Sequence, residues 1–108
     1  MIASKRDKVF ALFAFFEEAR MRHRARVDGN HAAIIGALRQ AGCLVTDCSR
    51  LGSGFPDVLI LRRGILYLVE IKSARGKRTP DQVRFMAEGW PVTIVRSVPE
   101  ALAVVGIT

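Results

Sequence analysis

The stretch GFPDVLILRRGILYLVEIK, from Gly54 to Lys72, decides how this chain is read. It holds two apolar runs, Pro56–Arg62 and Ile65–Ser73, on either side of Arg63-Gly64. Runs of this kind joined by a short glycine turn predict a β-hairpin. Both runs are apolar on both faces, as expected of strands inside a layered domain. Each nevertheless carries charge, Asp57 in the first and Glu70 and Lys72 in the second. A carboxylate taken out of water costs on the order of several kcal/mol unless it is paired or binds a metal. These three residues therefore need an explanation.

The register supplies one. With Arg63-Gly64 as a two-residue loop, Arg62 faces Ile65, Ile60 faces Tyr67 and Asp57 faces Glu70. Directly opposite side chains have Cβ atoms about 4.5–5.5 Å apart. Lys72 lies two residues past Glu70 and shares its face. A three-residue loop would instead put Asp57 opposite Val69. In the first register two carboxylates converge and repel each other unless a cation sits between them. Oxygen ligands suit Mg²⁺ or Mn²⁺, with the Ile71 carbonyl as a further donor. Such an ion stabilises charge on a scissile phosphate and acidifies a bound water. Lys72 would orient or deprotonate that water, or stabilise the transition state. The competing structural reading has Asp57 shaping the Gly-Phe-Pro-Asp turn while Glu70 and Lys72 form an ion pair at a sheet edge.

Around the hairpin the chain reads as α-α-β-β-β-α-β-α, an α/β arrangement with a mixed sheet. Residues from Ser4 to His23 predict a first helix, apolar over much of its circumference through Val9, Phe10, Leu12, Phe13, Phe15 and Phe16. That excess predicts an isologous homodimer through Phe10, Phe13 and neighbours. The basic run RMRHRAR, Arg20–Arg26, follows, either as a solvated helix end or as a phosphate contact. Asp28-Gly29-Asn30 predicts a break and an N-cap, His31–Ala41 a helix stopped by Gly42, and Cys43–Cys48 a strand. Thr79-Pro80-Asp81-Gln82 is a helix start with a capping box, and that helix ends near Gly89. Pro91–Arg96 predicts a strand, and Ser97 starts a last helix ending near Val105. Trp90 and Tyr67 are isolated and read as core rather than as base-stacking platforms.

The chain has 108 residues, half of them apolar, so one domain with a real core is expected. Residues 1–27 are expected to be an N-terminal basic and apolar helix and 28–108 the main domain, compact as one unit. The net charge of +7 points to a polyanionic partner, nucleic acid first. The two cysteines, Cys43 and Cys48, fall on opposite faces of one predicted strand, which argues against an intrachain disulfide. They read as small buried hydrophobes in a reducing cytoplasm. The run VFALFAFF is too short to span a membrane, is followed at once by Glu17 and Glu18, and lacks a signal-peptide cleavage site. A cytoplasmic location is expected.

Pro56-Asp57 followed by Glu70-Ile71-Lys72 resembles the PD-(D/E)xK nuclease superfamily. The match is closer to its small VRR-NUC branch, which is common in phage and related to Holliday-junction resolvases. Gly54-Phe55-Pro56-Asp57 fits that branch's G-x-x-D strand, and Gln82 fits its glutamine on the next helix. The resemblance covers roughly Asp28 to Val105. It implies a restriction-endonuclease-like core and cleavage of DNA phosphodiesters with Mg²⁺ or Mn²⁺. Asp57, Glu70 and the Ile71 carbonyl would hold the metal, and Asp57, Glu70, Lys72 and Gln82 would form the catalytic set. Arg75, Lys77 and Arg78, just past Lys72, are expected to grip the phosphate backbone, together with Arg50 and Ser53 of the glycine-rich turn. Two features temper this. Relatives often carry a glutamate in the helix before the first strand, where this chain has Asn30-His31-Ala32-Ala33, and His31 reads as a cap or surface residue before a substitute ligand. Gln82 is explained equally by its capping box. The alternative function is a catalytically inactive DNA-binding or partner-binding protein on the same fold.

Overall fold

The computed structural model describes residues 29–107. The predicted first helix, the basic run and the dimer face at Phe10 and Phe13 lie outside them. Arg63 and Gly64 both have positive φ, 51° and 79°, as a two-residue hairpin turn whose twist matches its strands requires. The elements are α1 (His31–Gln40), β1 (Leu44–Asp47), β2 (Val58–Arg62), β3 (Ile65–Ile71), α2 (Pro80–Ala87), β4 (Val92–Val95) and α3 (Val98–Val104). Their order is the predicted one from His31 onward, with each strand two residues shorter.

The four strands form one mixed sheet in the order β1-β2-β3-β4. The β1/β2 and β2/β3 pairs are antiparallel and β3/β4 is parallel. A parallel pair needs a crossover, and α2 lies within it. One face of the sheet builds the core: Val58, Ile60, Val69, Ile71 and Val95 pack with Ile34, Ile35 and Leu38 of α1 and with Ala101 and Val105 at α3. On the opposite face Leu61 of β2 and Leu66 of β3 remain 39% and 60% exposed. The hairpin strands are thus apolar on both faces, but the described helices cover only one.

Asn30 occupies the N-cap position of α1 without capping it. Its Nδ2 donates instead to the carbonyls of Lys72 (3.1 Å) and Arg96 (2.9 Å), tying the start of α1 to the ends of β3 and β4. The capping box of α2 forms as predicted: Gln82 N–H donates to Thr79 Oγ1 and Thr79 N–H donates to Gln82 Oε1. Cys43 and Cys48 are buried free thiols. Among the described residues no helix is long and apolar enough to cross a membrane.

Candidate active site

The hairpin pairs Arg62 with Ile65, Ile60 with Tyr67 and Val58 with Val69. One step further along the same ladder, Asp57 meets Glu70. The two-residue-loop register therefore holds and the alternative, Asp57 opposite Val69, does not. β3 is flanked by β2 and β4, so Glu70 and Lys72 lie at an interior strand rather than a sheet edge.

Asp57 lies just before β2 begins. Its Oδ2 accepts from the Ile71 N–H at 2.7 Å, continuing the ladder with a side chain where the strand's own carbonyls no longer serve. The N–H and C=O of one strand residue point to the same side. The Ile71 carbonyl therefore also faces the Asp57 side, while the Ile71 side chain is buried in the core.

Glu70 is only 2% exposed and Lys72 7%. Glu70 Oε1 is buried and has no hydrogen-bond partner. Loss of water pushes the Glu70 carboxyl up, and the Asp57 charge pushes it further, to about 8. The Lys72 ammonium and the Asp57 backbone pull the other way without prevailing. A buried carboxylate with a bare oxygen beside a second carboxylate fits a hard divalent cation, which would satisfy the lone pairs and remove the repulsion. Asp57, Glu70 and the Ile71 carbonyl are the donors such an ion would use.

The surrounding turns are fitted closely to this end of the sheet. Gly54 has φ +82°, and a Cβ there would come within 2.2 Å of the Asp81 carbonyl in the first turn of α2. Glycine is therefore required where the G-F-P-D turn meets α2, and Gln82 starts its helix close to that turn. The Gln82 carbonyl oxygen is spent on the capping box, so only its amide nitrogen is left for any other partner.

Arg75, Lys77 and Arg78 are exposed on the loop after Lys72. That loop is braced from beneath by Arg96, whose Nη1 donates to the carbonyls of Ser73 (2.7 Å) and Gly76 (2.8 Å). Arg50 and Ser53 are also exposed, and Ser53 takes a left-handed φ of 54°.

Three sequence expectations change. His31 is neither a cap nor a surface residue: it is buried, with Nε2 at 3.3 Å from Asp47 Oδ2. Burial pulls the Asp47 carboxyl up, but bonds from the Ser49 hydroxyl and amide and the nearby imidazole outweigh it and hold the carboxyl below its ordinary value. His31 is thus engaged with Asp47. Among the described residues no group of three His, Cys, Asp or Glu side chains is clustered to hold a metal. Second, Trp90 is not core but 51% exposed; Tyr67 does pack against the core, as expected. Third, Asn30 is a clamp rather than a cap. Asn30 and Arg96 were missed because their partners lie far away in sequence, and no local pattern marks such contacts.

No protein-family model matches this chain, and no curated protein matches it.

Proposed function

We propose that this protein is a Mg²⁺- or Mn²⁺-dependent DNA endonuclease, with a restriction-endonuclease-like core of the VRR-NUC or resolvase kind. The observation that carries the reading is Glu70: a buried carboxylate with an unpartnered oxygen, facing Asp57, with Lys72 two residues on. The bound ion would offset phosphate charge and acidify a water. Asp57 and Glu70 hold the site's negative charge in place, and the Asp57–Ile71 bond fixes one carboxylate against the strand that bears the other. Lys72 supplies a fixed cation at the reacting phosphate, or takes a proton from the attacking water. Arg75, Lys77 and Arg78 hold the backbone on either side, with Arg50 and Ser53 on the neighbouring turn. Gln82 contributes through its amide nitrogen. A homodimer would bring two sites to one duplex, and the reaction belongs in the cytoplasm.

The test is incubation of labelled branched and linear DNA with the protein in Mg²⁺, Mn²⁺ or EDTA, with Glu70→Gln and Lys72→Ala beside it. Cleavage that needs metal and both side chains supports the reading; no cleavage of any substrate refutes it. A second reading, a non-catalytic DNA-binding protein, is favoured by one feature: no acid stands at the start of α1, where Asn30 clamps two carbonyls and His31 engages Asp47. It predicts DNA binding that EDTA leaves unchanged.

A further inference from the structure

We infer that Trp90, stacked on Phe85, is a platform for an unpaired base of the DNA. This rests on the DNA-directed reading above and adds a preference for substrates with unpaired bases.

Trp90 is the chain's single tryptophan. Tryptophan is highly buried on average, so a half-exposed indole that is nevertheless held in place is the exception. The ring is also held. Its face lies on Phe85, with centroids 5.5 Å apart and an interplanar angle of 16°. Its Nε1 donates to Glu88 Oε2 at 3.1 Å, and its carbonyl accepts from Val92 N–H at 2.9 Å. An indole fixed on one face and one edge, and half exposed, is pre-organised for a second flat partner.

The row leads to the site. Phe85 packs edge-on against Phe55, at 5.6 Å and 61°, and Phe55 stands two residues before Asp57. Aromatic rings therefore run from the turn that carries the site carboxylate out to solvent. α2, which bears Phe85, has no buried residue. Arg78 of the basic loop lies alongside, with Nη1 at 3.6 Å from Met86 Sδ, next to Phe85 in sequence. An exposed stacked ring with a cation on the same helix surface is the arrangement that binds single-stranded nucleic acid. Of the two acids nearby, Asp81 is paired with Arg84 and Glu88 accepts from the indole. The Glu88 carboxylate keeps phosphate away from that edge and so favours a base there over backbone. A base inside a duplex cannot offer its face to a side chain. The ligand is thus a base of single-stranded, flapped or branched DNA.

The experiment uses the full chain in EDTA, with a labelled single-stranded oligonucleotide and a duplex of the same length, read by anisotropy and by Trp90 fluorescence. The single strand should quench the indole to saturation. Trp90→Ala should weaken single-strand binding roughly five- to 150-fold and duplex binding less than about twofold. Trp90→Phe should keep most of the single-strand affinity, and it serves as the variant to judge by if the alanine form fails to fold. Equal loss on both DNAs, or no loss while the wild type binds both, overturns this inference and leaves the nuclease reading standing. A change in sedimentation without a change in DNA affinity assigns the ring to a protein contact and also overturns it. A wild type that binds neither DNA removes both readings together.

Discussion

The metal-free protein should lose stability as pH rises, because Glu70 must ionise where it is buried. Its carboxyl is pushed up from 4.5 to about 8. For an acid raised on folding, the stability is fully present below the unfolded value and is lost as pH climbs through the folded one. Every tenfold change in an ionisation constant corresponds to about 1.36 kcal/mol. Between pH 5 and pH 8 the loss from Glu70 alone would be about 3–4 kcal/mol. Asp57 and Glu70 share the titration, so about 2–3 kcal/mol is the reasonable expectation. In a domain of this size that is on the order of 10 °C in Tm. Denaturant melts at intervals from pH 5 to 9, in EDTA, would measure it. The wild-type minus Glu70→Gln difference cancels the other titrating groups: the two proteins should be near equal at pH 5, with the variant the more stable at pH 8. Mn²⁺ should take the place of the proton, so its affinity should rise up to about tenfold per pH unit below 8, with release of up to about one proton per ion. Calorimetry in buffers of different ionisation enthalpy reads that proton. A pH-independent difference between wild type and Glu70→Gln would show that ionising Glu70 costs the fold nothing.

Lys72→Ala should abolish cleavage while the Mn²⁺-induced rise in Tm persists, since the lysine holds no metal; loss of that rise would make its role structural. Replacing Arg75, Lys77 and Arg78 with alanine should weaken DNA binding for every sequence and flatten the plot of log affinity against log salt by roughly 0.9 per lost contact. An unchanged slope would assign the loop to solvent. Gly54→Ala should destabilise by at least about 1–2 kcal/mol, since the left-handed backbone alone costs that much before the contact with the Asp81 carbonyl. A urea midpoint equal to wild type would show that α2 can move away freely.

The hairpin was legible because two independent signals agreed. Arg63-Gly64 admits a two-residue turn, and that turn fixes the register, so Asp57 opposite Glu70 followed from counting. Helix α2 was legible through its capping box, a local pattern with a local cause. What was not legible depends on contacts distant in sequence. Apolar residues on both faces of β2 and β3 said that both faces could be buried, but not that Leu61 and Leu66 would stay open. A lone tryptophan has no periodicity, so nothing indicated on which side of the surface Trp90 would fall. Asn30 read as a cap because Asn before a helix usually is one; two carbonyls at the strand ends compete for its amide and win.

The three charged residues in the hairpin are not equal in what they explain. Asp57 has a structural use, since its oxygen takes the Ile71 N–H that β2 no longer pairs. That use is a bond to β3 rather than the turn shaping the structural alternative assumed, and β3 is an interior strand rather than a sheet edge. Glu70 is held less well: its burial raises its carboxyl, its neighbour is another acid, the bond from the Asp57 backbone does not offset either, and one oxygen bonds nothing. A group that costs stability when it ionises and keeps a bare buried oxygen is the one whose presence function must account for. The two carboxylates should therefore separate on substitution. Asp57→Asn keeps an acceptor for Ile71 and relieves repulsion, so it should leave the metal-free fold intact or firmer. Glu70→Gln should stabilise it above pH 8, where the wild-type carboxylate is charged. Were Glu70→Gln instead destabilising across that range, Glu70 would be a structural residue, and the case for a metal between it and Asp57 would go with it.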